Sequence, residues 1–128
     1  MTREELTKTI VELGENNNRI ILSWPTGLGK SFGSLQLAKL WKPKKVLLVV
    51  AEVPHKDNWK AEIYKFNTLY SYHLLEKANV TIICYASLHK YIDTYDMIIF
   101  DEAHHLFTDK RLDNIRQYKS DKIVLLSA

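Results

Sequence analysis

Hydrophobic residues along the chain recur at two spacings, one typical of helices and the other of buried strands. Leu6, Ile10 and Leu13 lie at helical intervals, with Thr2 at a capping position before them and Gly14 after them. This pattern predicts an amphipathic first helix that ends at Gly14 and is followed by an asparagine-rich loop.

Five short apolar runs predict strands. They are rich in β-branched residues and lack the alternation of a strand with one exposed face, which is typical of strands covered on both faces. These runs are residues 19–23, 46–51, 80–84, 95–100 and 122–126, and residues 70–75 leave open another short strand.

Helices are predicted between the strands. One covers about residues 30–41, where Pro43 ends it, and another carries Trp59, Ile63 and Phe66 on one face. A chain in which strands and helix-length segments alternate favours a mainly parallel sheet with right-handed crossovers.

The predicted fold is therefore α/β, a three-layer sandwich with helices on both faces of the sheet. A short helix at residues 112–118 would precede the last strand. The length of 128 residues fits one domain. Ligands of such sheets bind at the carboxyl ends of the strands, so the segments that follow the strands are where chemistry is expected.

Composition narrows the class of protein. The chain is 46% hydrophobic and 26% charged, as in soluble globular proteins, and its apolar runs are far shorter than the roughly 20 residues of a membrane span. The amino terminus lacks the apolar region of a secretory signal, and the single cysteine, Cys84, excludes an intrachain disulfide. We expect Cys84 to be buried and the protein to be intracellular, whether cytoplasmic, nuclear or phage-encoded.

The net charge of +3 is too small to indicate nucleic-acid binding by itself. Seven lysines stand between Lys39 and Lys65 against three acidic residues. They would form a basic surface if they shared one face, but an ordinary solvated surface is the simpler interpretation.

A glycine-rich segment, residues 24–31, follows the first strand and precedes a helix, which is the context of a phosphate-binding loop. Lys30 would contact the β- and γ-phosphates, and the Ser31 hydroxyl would bind Mg²⁺. Trp24 occupies the position of the first glycine of the general pattern, so an ordinary glycine-rich turn is the alternative. The expected phosphate-binding residues are Thr26, Gly27, Leu28, Gly29, Lys30 and Ser31.

Two adjacent carboxylates, Asp101 and Glu102, follow the fourth predicted strand. Asp101 can hold Mg²⁺ through its water shell, and Glu102 can orient and deprotonate an attacking water. Taken alone, the pair is equally compatible with a solvated acidic turn. His104 and His105 do not predict a zinc site, because neighbouring side chains diverge and no other ligand stands at zinc spacing.

These segments resemble superfamily 2 helicases and translocases. Residues 25–31 are similar to motif I of that superfamily, and residues 101–104 spell its DEAH-type motif II. The chain resembles the amino-terminal RecA-like lobe, a P-loop NTPase fold, of the type found in type III restriction and phage proteins. The resemblance implies ATP and Mg²⁺ as cofactors, with Lys30 and Glu102 as catalytic residues.

Weaker similarities extend over the rest of the chain. Residues 50–63 resemble motif Ia with its helix, residues 85–88 resemble the segment that often precedes motif II, and residues 125–128 resemble the beginning of motif III. The resemblance gives His104 and Ser127 a coupling role. It implies nucleic-acid contacts, to DNA more than to RNA, from Glu52, Val53, Asn58 and Ser87.

Two departures from the family pattern qualify the expected activity. The chain stops before the threonine of motif III, so we expect residues 1–128 to be one lobe, without the second lobe that supplies arginine fingers. Loss of such an arginine costs roughly 10³ to 10⁵ in rate, so the chain should bind ATP but hydrolyse it slowly. The only glutamines, Gln36 and Gln117, lie downstream of Lys30, which leaves adenine selectivity open.

An alternative function is a non-catalytic, stand-alone module that binds nucleotide or a partner protein and regulates a complete motor. A small phosphotransferase would share the glycine-rich loop but normally lacks the acidic motif. The sequence does not decide whether the nucleic acid is DNA or RNA, in which direction a motor would move, or whether it would unwind or translocate. It also leaves the oligomeric state open.

Overall fold

The computed structural model describes residues 3–23, 27–70, 79–91, 93–103 and 119–127. Within these ranges the chain forms three α-helices, one 3₁₀ helix and five strands. They are α1 (Arg3–Asn16), β1 (Arg19–Ser23), α2 (Gly27–Trp41), β2 (Lys45–Val50), α3 (Val53–Tyr70), β3 (Asn79–Cys84), the 3₁₀ helix η1 (Tyr85–Lys90), β4 (Thr94–Phe100) and β5 (Lys119–Ser127).

The five strands form one sheet in the order β1-β5-β4-β2-β3, and all four pairings are parallel. Each predicted strand is confirmed, and β5 begins three residues earlier than the apolar pattern indicated. The sheet order follows from long-range pairing, since β5, the last strand in the chain, inserts between β1 and β4.

The three α-helices pack on one face of the sheet, where most of the core lies. Ile10 of α1, Leu37 of α2 and Ile63 of α3 are almost fully buried against inward-facing residues such as Leu48 and Ile99. The helical spacing of Trp59, Ile63 and Phe66 therefore correctly predicted the buried side of α3.

The opposite face of the sheet carries a second apolar cluster. Leu47, Val49, Ile98 and Phe100 pack there against Leu88 of η1. The short helix expected at residues 112–118, like most of residues 70–75, lies outside the described residues.

The first helix was predicted to end at Gly14, but it continues to Asn16. Glycine serves there as a packing residue, because a Cβ atom at Gly14 would come within 2.7 Å of the side chains of Leu37 and Leu40. The carbonyl oxygen of Gly14 also accepts a hydrogen bond from the indole of Trp41, at 3.0 Å. Contact between α1 and α2 thus overrides the usual tendency of glycine to end a helix.

Helix α2 begins at Gly27, three residues before the predicted start, and ends at Trp41 as expected. The amide of Lys42 donates to the carbonyl of Ala38 at 2.9 Å, and Lys42 has a φ of 50°. This left-handed residue closes the helix, and Pro43 prevents its continuation.

One expectation about a single residue changes. Cys84 is only partly buried, because it lies on β3, at one edge of the described sheet. Of the seven lysines, Lys42, Lys44 and Lys45 lie near the amino end of β2, whereas Lys56, Lys60 and Lys65 lie along α3. No helix within the described residues is long and apolar enough to cross a membrane.

Candidate functional site

The carboxyl ends of all five strands meet at one edge of the sheet. Ser23 of β1 pairs with Ser127 of β5, and Val50 of β2 pairs with Cys84 of β3. Phe100, the last residue of β4, lies level with Leu125 and Val49. The segments that follow the strands are therefore brought together at this edge, as the parallel arrangement requires.

The strands that carry the two predicted motifs are separated by one strand. Motif I follows β1, motif II follows β4, and β5 lies between them. Two interstrand spacings amount to about 10 Å, a gap that a phosphate chain with its hydrated metal can bridge. The backbone of Ser127 lies at the end of this intervening strand, between the two motifs.

Residues 27–31 form the first turns of α2. The first amide groups of a helix have no partner within the helix, so they offer fixed positive polarity to an anion. The side chains of these five residues, together with Trp24, Pro25 and Thr26, lie outside the described part of the chain.

The start of α2 is held against α3. Phe32, which follows motif I directly, packs edge-on against Phe66 of α3, with ring centroids 6.2 Å apart and an interplanar angle of 64°. An edge-on arrangement of this kind is favourable for two aromatic rings. The orientation of motif I is therefore linked to the helix that follows β2.

Asp101 has a defined orientation. Its amide donates to the carbonyl of Val49 at 2.8 Å and so extends the pairing of β4 with β2 by one residue. Its Oδ2 atom accepts a hydrogen bond from Nε1 of Trp59 at 2.9 Å, and its Oδ1 atom accepts one from the amide of Glu102 at 2.9 Å. A carboxylate has about four acceptor sites, so positions remain for a metal ion or its water.

Tyr85 supports the same segment from the other face of the sheet. Its hydroxyl donates to the backbone carbonyl of Asp101 at 2.6 Å. The Tyr85 ring is 3% exposed and stacks on Phe100, with centroids 6.5 Å apart. The first residue of η1 therefore fixes the backbone at the end of β4.

Glu102 has an unusual backbone conformation, with a φ of 51°. For a residue with a side chain, this left-handed conformation costs about 1 kcal/mol or more, and it persists only where the surrounding structure requires it. Glu102 is half-exposed, and Ala103 after it is buried at 3% exposure. The chain thus turns sharply at the residue that the sequence predicted to be the general base.

The sequence did not predict the roles of Trp59 and Tyr85 at Asp101. Trp59 was interpreted as a core residue of α3 within the motif Ia resemblance, and Tyr85 as part of a weak motif. The indole nitrogen of Trp59 and the hydroxyl of Tyr85 make the contacts with Asp101. Helical spacing gives no information on the hydrogen bonds of these polar atoms. His104 lies outside the described residues, and only the backbone of Ser127 is described.

The four residues expected to contact nucleic acid fall near the same edge. Glu52 and Val53 are exposed where α3 begins, and Asn58 is exposed further along that helix. Ser87 is half-buried in η1. Because Val50 and Cys84 are paired, α3 and η1 begin beside each other.

The fold and the family model that matches the chain together identify the class of protein, the RecA-like lobe of a superfamily 2 ATPase. The structure is similar to that of the SWI2/SNF2 ATPase core of Sulfolobus solfataricus, which was solved in complex with double-stranded DNA. The TM-score is 0.68 at 20% sequence identity, and the match covers 96% of this chain and 30% of the other. The predicted α/β fold is confirmed by this likeness.

Family membership follows from the sequence match. The family model of the type III restriction enzyme res subunit matches residues 1–128, and the chain belongs to this family. A comparison with curated proteins found no match.

Proposed function

We propose that the chain is the ATP- and Mg²⁺-binding lobe of an ATP-dependent nucleic-acid helicase or translocase. The observation that carries this proposal is the placement of Asp101 and Glu102 at the same sheet edge as the start of α2, with one strand between them. Membership of the res-subunit family and the likeness to a superfamily 2 ATPase core support it.

Phosphate binding is assigned to residues 26–31. Free amides at the start of α2 would hold phosphate oxygens, and Gly27 and Gly29 present no Cβ atoms that would keep an anion away from the backbone. The Lys30 ammonium group adds a full charge beside the β- and γ-phosphates.

Asp101 and Ser31 would hold Mg²⁺ with the phosphates, because hard oxygen ligands and one or two carboxylates suit this ion. Bound Mg²⁺ neutralises charge that develops on the phosphates. Glu102, beside Asp101, accepts a proton from the attacking water. His104 and Ser127 would transmit the state of the site to other parts of the protein.

Rapid hydrolysis in this proposal requires a second RecA-like lobe, on the same or another polypeptide. Such a lobe supplies arginine side chains that stabilise the transition state, an effect worth roughly 10³ to 10⁵ in rate. We therefore expect this lobe by itself to bind nucleotide and to release phosphate slowly.

Nucleic acid, DNA more than RNA, is assigned to the surface formed by the starts of α3 and η1. The DNA complex of the similar ATPase core supports this choice. The Val53 amide at the start of α3 can contact a phosphate, and the exposed Asn58 can add a side-chain contact. Glu52 would take part through its backbone, since its carboxylate repels phosphate.

The test is a titration of the purified chain with a fluorescent ATP analogue and Mg²⁺, followed by measurement of phosphate release with and without DNA. Lys30→Ala should lose binding, whereas Lys44→Ala, at the opposite edge of the sheet, should bind like the original chain. Equal binding by both variants would contradict the assignment of Lys30. No binding by the original chain would overturn nucleotide recognition and favour a partner-binding module.

A further inference from the structure

Trp59 connects helix α3 to the carboxylate of Asp101. The indole is 3% exposed, and its Nε1 atom lies 2.9 Å from Oδ2 of Asp101, 42 residues further along the chain. The ring belongs to the main core cluster with Ile63 and Phe66. A rigid, well-packed side chain thus presents one N–H group to the acidic motif.

This hydrogen bond restricts how Asp101 can turn. The indole nitrogen is only a donor and, once buried, requires an acceptor. With Trp59 on Oδ2 and the amide of Glu102 on Oδ1, both oxygens have fixed partners. Rotation of the carboxylate would break both hydrogen bonds, so its remaining acceptor positions keep a constant direction.

Trp41 provides a comparison within the same chain. Its Nε1 atom also donates a long-range hydrogen bond, to the backbone carbonyl of Gly14 at 3.0 Å. The ammonium group of Lys122 lies 5.1 Å from the centroid of the Trp41 ring. These contacts join α1, α2 and β5 at the end of α2, so Trp41 uses its indole for packing, whereas Trp59 uses it on an acidic side chain of the candidate site.

We propose that Trp59 is a positioning residue for the metal site, which orients the Asp101 carboxylate towards Mg²⁺. This inference rests on the proposed function, because it assigns Mg²⁺ to Asp101. Removal of a residue that hydrogen-bonds to a metal ligand commonly lowers metal affinity by about 10- to 100-fold.

The test compares Trp59→Phe with Trp41→Phe, since each variant keeps an aromatic ring and loses one indole donor. Calorimetry measures nucleotide affinity with Mg²⁺ and with a chelator in its place. Trp59→Phe should reduce the Mg²⁺-dependent gain in affinity by about tenfold and leave the metal-free affinity unchanged. Trp41→Phe should leave the gain unchanged. An unchanged gain in a folded Trp59→Phe variant would overturn the inference.

A second readout requires no variant at Trp59. In the original chain labelled with ¹⁵N and saturated with nucleotide in the presence of a chelator, addition of excess Mg²⁺ should shift the indole N–H resonance of Trp59 and leave that of Trp41 in place. Asp101→Asn should abolish this shift. A Trp59 resonance that does not respond to Mg²⁺ would overturn the inference, whereas absence of nucleotide binding in the calorimetry would overturn the proposed function.

Discussion

Two aspartates at opposite ends of β4 show how differently one side chain is used in the same sheet. At the amino end, Oδ2 of Asp96 accepts the amides of Lys44 and Lys45 at 2.8 and 2.9 Å. At the carboxyl end, Asp101 accepts one donor on each oxygen, from Trp59 and from the amide of the next residue. Asp96 is exposed, whereas Asp101 is half-buried.

The difference lies in what each arrangement accomplishes. Asp96 links the start of β2 to β4 and thereby holds the end of the loop between α2 and β2 in place. Asp101 is oriented by side chains from the core, and it lies at the edge where α2 begins. A carboxylate side chain alone does not make a metal ligand, since Asp96 and Asp101 both have one. Asp101 is a candidate metal ligand because it lies at the carboxyl edge of the sheet with its carboxylate held in a fixed direction.

The largest effect on stability should come from Asp96→Ala. The two backbone amides would lose a charged acceptor, and hydrogen bonds to charged groups contribute about 1.5 to 3 kcal/mol each before the reduction that exposure causes. We expect the free energy of unfolding to fall by about 2 kcal/mol, as measured by urea denaturation. Nucleotide affinity at 25 °C should be unchanged, and a loss of affinity in the folded variant would contradict the separation of the two edges.

Tyr85→Phe should have a smaller effect. It removes the hydroxyl that donates to the carbonyl of Asp101 and leaves the stacked ring in place. Loss of this part-buried hydrogen bond should lower the free energy of unfolding by about 1 kcal/mol. Urea denaturation of the two proteins measures the difference. Equal stability would show that the backbone at the end of β4 is held without Tyr85.

The smallest effect should come from the exposed ion pair of Lys45 and Asp93. Its hydrogen bond lowers the pKa of Asp93 from the ordinary value of 3.8 and raises the pKa of Lys45. The Asp93 contribution to stability is therefore present above its unfolded pKa and is lost as the pH falls through its lower folded pKa.

The contribution of Lys45 is present below its unfolded pKa and is lost as the pH rises through its higher folded pKa. Asp93→Asn should be slightly less stable than the original chain near neutral pH and equally stable in strong acid. Urea midpoints at about pH 7 and about pH 2 compare the two proteins. A stability gap that grows in acid would contradict this account.

The sequence predicted the elements of the fold better than their arrangement. Continuous apolar runs identified the five strands of the described residues, because strands such as β2, which is buried from Val46 to Val50, need apolar residues at each position. The order of the sheet depends on pairing between distant segments, so local periodicity could not show that β5 separates β1 from β4. Gly14 was misinterpreted as a helix end, since the close packing of Leu37 and Leu40 on it is a tertiary contact.

The candidate site was predictable as far as its residues form contiguous motifs. Asp101 and Glu102 were found because they are adjacent and follow a strand. Trp59 and Tyr85 are 42 and 16 residues away from Asp101 in the chain, and their contacts are made by single polar atoms on otherwise apolar rings. A pattern of hydrophobic positions predicts that such residues are buried in the core, but it does not predict their hydrogen bonds.

In the proposed site, Mg²⁺ binds with nucleotide at the carboxyl edge of the sheet and not at its amino edge. The most direct test is to compare Asp101→Asn with Asp96→Asn by measuring nucleotide affinity with and without Mg²⁺. We expect Asp101→Asn to lose at least about tenfold of the Mg²⁺-dependent gain in affinity, whereas Asp96→Asn should keep all of it. Equal gains in the two variants, or a loss confined to Asp96→Asn, would contradict the account.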